Sequence, residues 1–317
     1  MRECFARAGV SLTEVVEKIT REVPAEEKVR LLLEPGVYEG PVRFERGNME
    51  ILAGGPTDGE ILGTASDCPV RISGNLSARE ILEDGTNRGT FRTQTAYIHA
   101  DNLLFRGISF ENTAGPGHEK GQCIAAYVDG DLVRFENCAF LGYQDTLFTA
   151  PLPLKEVQPG GFRGPGEHLP RTPRRQIYEE CRIEGSVDFI FGGAAAVFDR
   201  CRIVCREDGY VTAASTPEGQ KMGYLFRNSS IEAWEGVKSV YLGRPWREHA
   251  KTVFLNCEMG PQIEPQGWQE WSGRIEAGGV FYAEYGSSGP GAAGNRITKS
   301  VISPEEAEAM LTALPEL

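Results

Sequence analysis

Two aspartates, Asp145 and Asp188, each lie seven residues after a cysteine that itself follows an aromatic-x-polar triplet. The segments Cys138-Ala-Phe-Leu-Gly-Tyr-Gln-Asp145 and Cys181-Arg-Ile-Glu-Gly-Ser-Val-Asp188 therefore carry a carboxylate at one shared offset. A fold that stacks the segments brings the two carboxylates to about 5 Å, the spacing of neighbouring strands. Two acids that close cannot easily both ionise, so their pKa values split, leaving one protonated to donate and the other free to attack. Asp208 has the same offset from Cys201 without comparable company. Asp145 stands in Tyr-Gln-Asp-Thr-Leu, and Asp188 opens Asp-Phe-Ile-Phe-Gly. A solvated turn aspartate is seldom followed by three large apolar residues.

The pair alone suits a retaining glycosidase as well as an esterase. Amide donors favour acyl transfer: Gln144 adjoins Asp145, and Gln122 comes from the coil before, so their side-chain NH₂ groups are candidate oxyanion donors. Either glutamine by itself would read as structural; their conjunction with the aspartates is what informs. In Leu242-Gly-Arg-Pro-Trp246, Arg244 can pair bidentately with a carboxylate and hold it ionised, and Trp246 offers a flat face to a sugar ring. Packing at a coil corner would explain the same turn. No Gly-x-Ser-x-Gly elbow of a serine esterase is present.

The positioning elements repeat. Phe110-Glu-Asn112-Thr, Phe135-Glu-Asn137-Cys, Tyr178-Glu-Glu180-Cys, Phe198-Asp-Arg200-Cys, Phe226-Arg-Asn228-Ser and Phe254-Leu-Asn256-Cys share an aromatic-x-polar-small template, with polar anchors 25, 43, 20, 28 and 28 residues apart. Such periods point to a solenoid in which each repeat buries its apolar face against its neighbours. Alternating β-branched and aromatic residues with Gly or Asn at the breaks favour strands, hence an all-β, single-stranded parallel β-helix. The 43-residue gap is one coil plus an insertion, residues 148 to 173, too rich in Pro and Gly for a regular core strand. Leaving just after Asp145, it should wall the site.

The whole chain, 1–317, reads as one domain, because a solenoid grows along one axis and need not split. Forty per cent hydrophobic residues with 38 Gly and 19 Pro suit a turn-rich β protein. A net charge of -12 argues against nucleic acid and against general attraction to polyanions, so an anionic substrate must meet local arginines or be partly neutralised. No stretch has the apolar length of a membrane span, and Met1 to Val10 lack the apolar run of a secretory signal. Ser11-Leu-Thr-Glu14 and Ser303-Pro-Glu-Glu306 each open a short helix with a capping box, and both helices should cap the solenoid. Cys138, Cys181, Cys201 and Cys257 share one repeat position and read as a buried ladder. Cys181 and Cys201 are the pair most able to bridge under oxidising conditions. No spacing resembles a zinc site and the four histidines are scattered, so no metal is expected.

Gly121-Gln-Cys-Ile-Ala, Tyr143-Gln-Asp-Thr-Leu, Asp188-Phe-Ile-Phe-Gly and Leu242-Gly-Arg-Pro-Trp, in this order, resemble the successive motifs of the pectin methylesterases (pectinesterases). The likeness runs from about Ser11 to about Tyr285. It implies a right-handed parallel β-helix that removes C6 methyl esters from galacturonate in pectin or its oligomers, releasing methanol. It also implies Asp188 as nucleophile, Asp145 as general acid then base, Gln122 and Gln144 as oxyanion donors and Arg244 as partner of Asp188. Trp246, with Phe148 and Phe191, would line the cleft. No cofactor is implied, and a monomer is expected. A β-helical glycosidase or lyase, and a non-catalytic carbohydrate-binding protein, remain as alternatives. In Gly36-Val-Tyr-Glu-Gly40 the acidic residue directly follows Tyr38 rather than standing two places on, and Ala214 stands where relatives often carry glutamine. The N-terminus as written suggests a cytoplasmic enzyme acting on imported oligomers, or a secreted one if the sequence is a mature form.

Overall fold

The computed structural model describes residues 1–54, 67–298, 300 and 302–312. The repeat template marks a corner. Its polar residue adopts left-handed backbone at Asn137, Glu180, Arg200, Asn228 and Asn256, with φ from 49° to 53°. That conformation is costly for most side chains and mild for Asn or Gly, and it turns the chain out of one strand into the next.

Each coil contributes strands to three parallel sheets, of ten, eight and seven strands among the described residues. One coil consists of Val133–Glu136, Ala139–Leu141 and Leu147–Thr149; the next of Arg175–Glu179, Arg182–Gly185 and Ile190–Gly192. Their partners are in register without slippage: Phe135 with Tyr178, Phe140 with Ile183, Leu147 with Ile190. The expected parallel β-helix is the architecture observed.

The template aromatics form an interior column. Phe105, Phe135, Tyr178, Phe198, Phe226 and Phe254 stack in near-parallel pairs at centroid separations of 5.1, 5.0, 4.7, 4.4 and 4.5 Å. The hydrophobes two residues past the small position, Phe140, Ile183, Ile203, Ile231 and Met259, form a second buried file. Identical shapes at one repeat position fill identical holes, which explains why the template recurs.

One template copy was a false match. Phe110 belongs to the second sheet, opposite Phe140, and Asn112 is no corner residue; its buried amide donates to the carbonyls of Leu76, Thr93 and Ile124. The true counterpart is Phe105-Arg-Gly107, whose φ of 70° makes the same corner with glycine in place of the polar residue.

The cysteine ladder is present. Cys138, Cys181, Cys201 and Cys257 are buried, and all eight thiols are free. Strand spacing sets equivalent side chains about 4.8 Å apart, longer than the mean Cβ separation of about 3.8 Å in a disulfide, so Cys181 and Cys201 would have to distort the ladder to bridge.

The first helix, Leu12–Glu22, follows Ser11 as its N-cap and buries Leu12, Val16 and Ile19 in the main core. The last, Pro304–Thr312, has a complete capping box between Ser303 and Glu306. It does not cap the end as expected. Ile302 and Ala307 pack on Val197, Leu225, Val253 and Ala283, the outward apolar face of the ten-stranded sheet. Among the described residues no helix is long and apolar enough to cross a membrane.

Candidate active site

The insertion starts later than its composition suggests. Leu147–Thr149 is a regular strand of the seven-stranded sheet, so the irregular segment runs from 150 to 174. It is ordered by its own side chains: Arg171 donates to the carbonyls of Gly166, Glu167 and Leu169 at 2.8, 2.7 and 2.6 Å. It lies over the outer face of that sheet, where Phe162 packs with Phe91 and Trp246.

Asp145 and Asp188 occupy the corner between the second and third sheets, on adjacent coils, both with left-handed backbone at φ 61° and 52°. Each is 7% exposed. Their surroundings differ. Arg244 donates from Nε to one oxygen of Asp188 at 2.9 Å and from a terminal nitrogen to the other at 2.7 Å. No side-chain hydrogen bond or ion pair among the described residues engages the carboxylate of Asp145. Burial pushes the Asp145 carboxyl well above the ordinary aspartate range, and the charge of Asp188 adds to the shift while Arg244 opposes it. Burial also raises Asp188, and the hydrogen bonds and charge of Arg244 pull it only part of the way back, so that it stays above the ordinary range but is shifted less than Asp145. The pair therefore favours a neutral Asp145 beside an ionised Asp188.

Arg244 is itself held. Its guanidinium lies between the Tyr210 ring, 3.9 Å from the centroid, and the Trp271 ring at 4.3 Å. The turn that carries it is tied to the preceding coil by bonds from Arg244 N to Thr212 O and Trp246 N to Ala214 O, at 2.9 and 3.0 Å. Gly243 is obligatory there, since a Cβ would lie 2.0 Å from the Thr212 hydroxyl oxygen.

Gln144 immediately precedes Asp145, and its side chain lies against Gly117, where a Cβ would come within 2.6 Å of the amide oxygen. Gln122 sits one coil earlier, as the bond from Cys123 N to Gln144 O fixes, and its carbonyl accepts from Ala78 N. Among the described residues no hydrogen bond within the protein occupies either side-chain amide, so both remain available to a ligand.

The aromatic residues divide. Trp246 is half-buried, 5.8 Å from Phe191 by ring centroids, with the Arg247 guanidinium over its ring at 4.7 Å. Phe191 is almost covered, and Phe148 is completely buried beneath Phe91, so Phe148 presents no surface to a sugar. Composition places Phe148 in the insertion and the resemblance places it in the cleft; it lies instead on the strand Leu147–Thr149 under Phe91. Asp208, the third residue at the aspartate offset, is an exposed turn residue that accepts from the amides of Lys238 and Ser239. The two departures from the early and middle motifs lie beside Tyr38 and at Ala214, whose carbonyl accepts from Trp246 N. Tyr38 is buried, donating to the carbonyls of Ala6 and Glu34, and Ala214 points into the core.

Sequence reasoning missed Tyr210 and Trp271. Tyr210 could have been found by counting one coil on from Asp188, and Trp271 from its spacing to Trp268.

A family model described as Pectinesterase matches residues 5–152 and 162–311. A probable pectinesterase/pectinesterase inhibitor 36 of Arabidopsis thaliana is 34% identical over 281 residues, covering 85% of this chain and 47% of that protein. Pectinesterase 2 of Citrus sinensis is 35% identical over 225 residues, 67% of this chain and 39% of that protein. The chain spans about half the length of the curated relatives it matches, 44% and 47% for two of them. Among solved structures, the pectin methylesterase of Aspergillus niger superposes with a TM-score of 0.74 at 26% identity, over 95% of this chain and 89% of that one. The carrot pectin methylesterase gives 0.72 at 29%, over 94% and 86%.

Proposed function

Because this chain belongs to the pectinesterase family, we propose that it hydrolyses the C6 methyl esters of galacturonate units in pectin through an aspartyl acyl-enzyme, releasing methanol. The observation that carries this reading is the inequality of the two aspartates: Asp188 clamped by Arg244, and Asp145 buried with its carboxylate bonded to no side chain among the described residues.

Asp188, ionised, attacks the ester carbonyl carbon. The oxyanion that forms takes hydrogen bonds from the side-chain amides of Gln122 and Gln144. As the C–O bond to the methoxy group breaks, Asp145 gives up its proton and methanol leaves, which makes a mixed anhydride between the substrate carboxyl and Asp188. Asp145, now a carboxylate, takes a proton from water as that water attacks the substrate carbonyl. The anhydride opens to galacturonic acid, which gives its proton to solvent, and to the Asp188 carboxylate, while the proton on Asp145 restores the starting state. Trp246 and the edge of Phe191 offer the apolar wall for the sugar, with Phe148 beneath as support.

The substrate is methyl-esterified galacturonan, polymer or oligomer. Of the two compartments open from the sequence, kinship with plant pectinesterases supports the secreted one over the cytoplasmic one.

Methanol release from methylated pectin by the wild type, Asp188→Asn and Asp145→Asn tests the reading. Release by the wild type with almost none from either variant is expected. Undiminished release from Asp188→Asn would overturn the assignment of the nucleophile, and new reducing ends or unsaturated products would point to a glycosidase or lyase instead.

A further inference from the structure

The Gln144 amide forms no hydrogen bond within the protein among the described residues, so packing alone sets its direction. What it packs on is Gly117, with which it shares the rim of a groove beside the aspartate corner. A Cβ built on Gly117 would lie 2.6 Å from the Gln144 amide oxygen and 2.7 Å from Gln144 Cβ, with Gln144 Cδ next at 3.4 Å. Turning the side chain would clear the oxygen. The Cβ is fixed to the backbone, so the second contact is relieved only by moving residue 144 and, with it, Asp145. The segment that bears Gly117 is pinned from its far side. Arg79 donates from its backbone to Lys120 O at 3.2 Å and from its guanidinium to His118 O at 2.6 Å, and Ala78 N donates to Gln122 O at 3.0 Å. Gly117 opens the short helix Gly117–Lys120, closed by the bond from Gly121 N to Gly117 O at 2.8 Å. Alanine is the better helix former, so the local backbone gives no reason for glycine there.

We propose that Gly117 is a positioning residue of the oxyanion site, its missing side chain being the seat that holds Gln144. The role rests on the esterase reading, in which Gln144 is an oxyanion donor. Gln144 sets its amide oxygen on that seat, so its NH₂ faces away from the 117–120 segment. A donor held in place beforehand needs no reorganisation when charge develops on the substrate oxygen. The same segment runs on through Gly121 into Gln122. One short piece of chain therefore carries one donor and backs the other, and a single methyl group at 117 disturbs the pair.

The test measures kcat and KM for methanol release from methylated pectin by the wild type, Gly117→Ala, Gln144→Gly and the double variant, with denaturation midpoints alongside. Loss of one oxyanion donor costs about 100- to 1000-fold in kcat, so Gly117→Ala is expected to lose about 10-fold or more, with KM little changed. In the Gln144→Gly background both contacts are gone. There Gly117→Ala should cost no further kcat and leave the midpoint no lower than in Gln144→Gly alone. Wild-type kcat in Gly117→Ala would overturn the role, and so would an equal fold loss in both backgrounds, the mark of a general loosening. If Gly117→Ala alone does not fold, the double variant decides: kcat equal to that of Gln144→Gly supports the role and a lower kcat overturns it. Absence of methanol from the wild type would overturn the esterase reading and this role with it.

Discussion

Arg244 holds both oxygens of Asp188. It thereby fixes the orientation of that carboxylate and opposes, in part, the upward shift that burial imposes on it.

Replacing Arg244 with lysine keeps a charge and loses the fork, and each charged hydrogen bond is worth about 1.5–3 kcal/mol. The expected loss in kcat is on the order of 10- to 100-fold. In Arg244→Ala nothing opposes burial at Asp188, whose pKa rises further. The proposed mechanism requires Asp188 ionised, so the acid limb of the kcat/KM profile should move to higher pH; an unmoved limb would argue that Arg244 does not act on Asp188.

Asp145 carries the opposite prediction for stability. Its folded pKa lies above the unfolded value, so its stabilising contribution is complete below about pH 3.9 and is lost as pH rises through the folded value. Asp145→Asn removes that loss. The variant should be nearly inactive yet melt higher at neutral pH by about 1–4 °C, with no gain at acid pH, in thermal denaturation followed by circular dichroism.

The rings around Arg244 position it without touching substrate chemistry. A cation over an aromatic face is worth about 0.5–2 kcal/mol, so Tyr210→Ala and Trp271→Ala should each lower kcat about 2- to 30-fold. Tyr210→Phe keeps the ring and loses only the hydroxyl bond to Gln269, and should stay near wild type. A pH profile separates the positioning role from general loosening, because only the former shifts the acid limb.

How much of this was legible in the sequence depends on what enforced it. The adjacency of Asp145 and Asp188 was readable because coil stacking is one-dimensional: an equal offset from an equal corner means neighbouring coils, whereas the pairing of Arg244 with Asp188 came only with the family resemblance. The Asn112 error arose because an aromatic-x-Asn triplet fits two different sheets, and only the left-handed corner distinguishes them. Phe148 was misplaced because composition assigned it to the insertion and the resemblance to the cleft, and neither says what covers it. The cover comes from Phe91, 57 residues away in sequence, on which Phe162 packs in turn. The lateral seat of the last helix was invisible for the same reason.

That covering separates two aromatic roles. Phe148→Ala should cost about 3–5 kcal/mol of stability, seen as a lowered denaturation midpoint, with KM for the surviving folded enzyme little changed. Trp246→Ala should do the reverse, raising KM several-fold while the midpoint moves little. A matched loss of stability in both would merge Trp246 into the packing.

The left-handed corners impose geometry on one residue and leave the path to the next corner free: 20, 28 and 43 residues separate successive anchors without shifting the stack. The solenoid therefore behaves as a rack with fixed mounting points. Between any two of them a segment can be lengthened, exchanged or grafted, as the 150–174 insertion already demonstrates beside Asp145, and the catalytic register on either side is inherited unchanged.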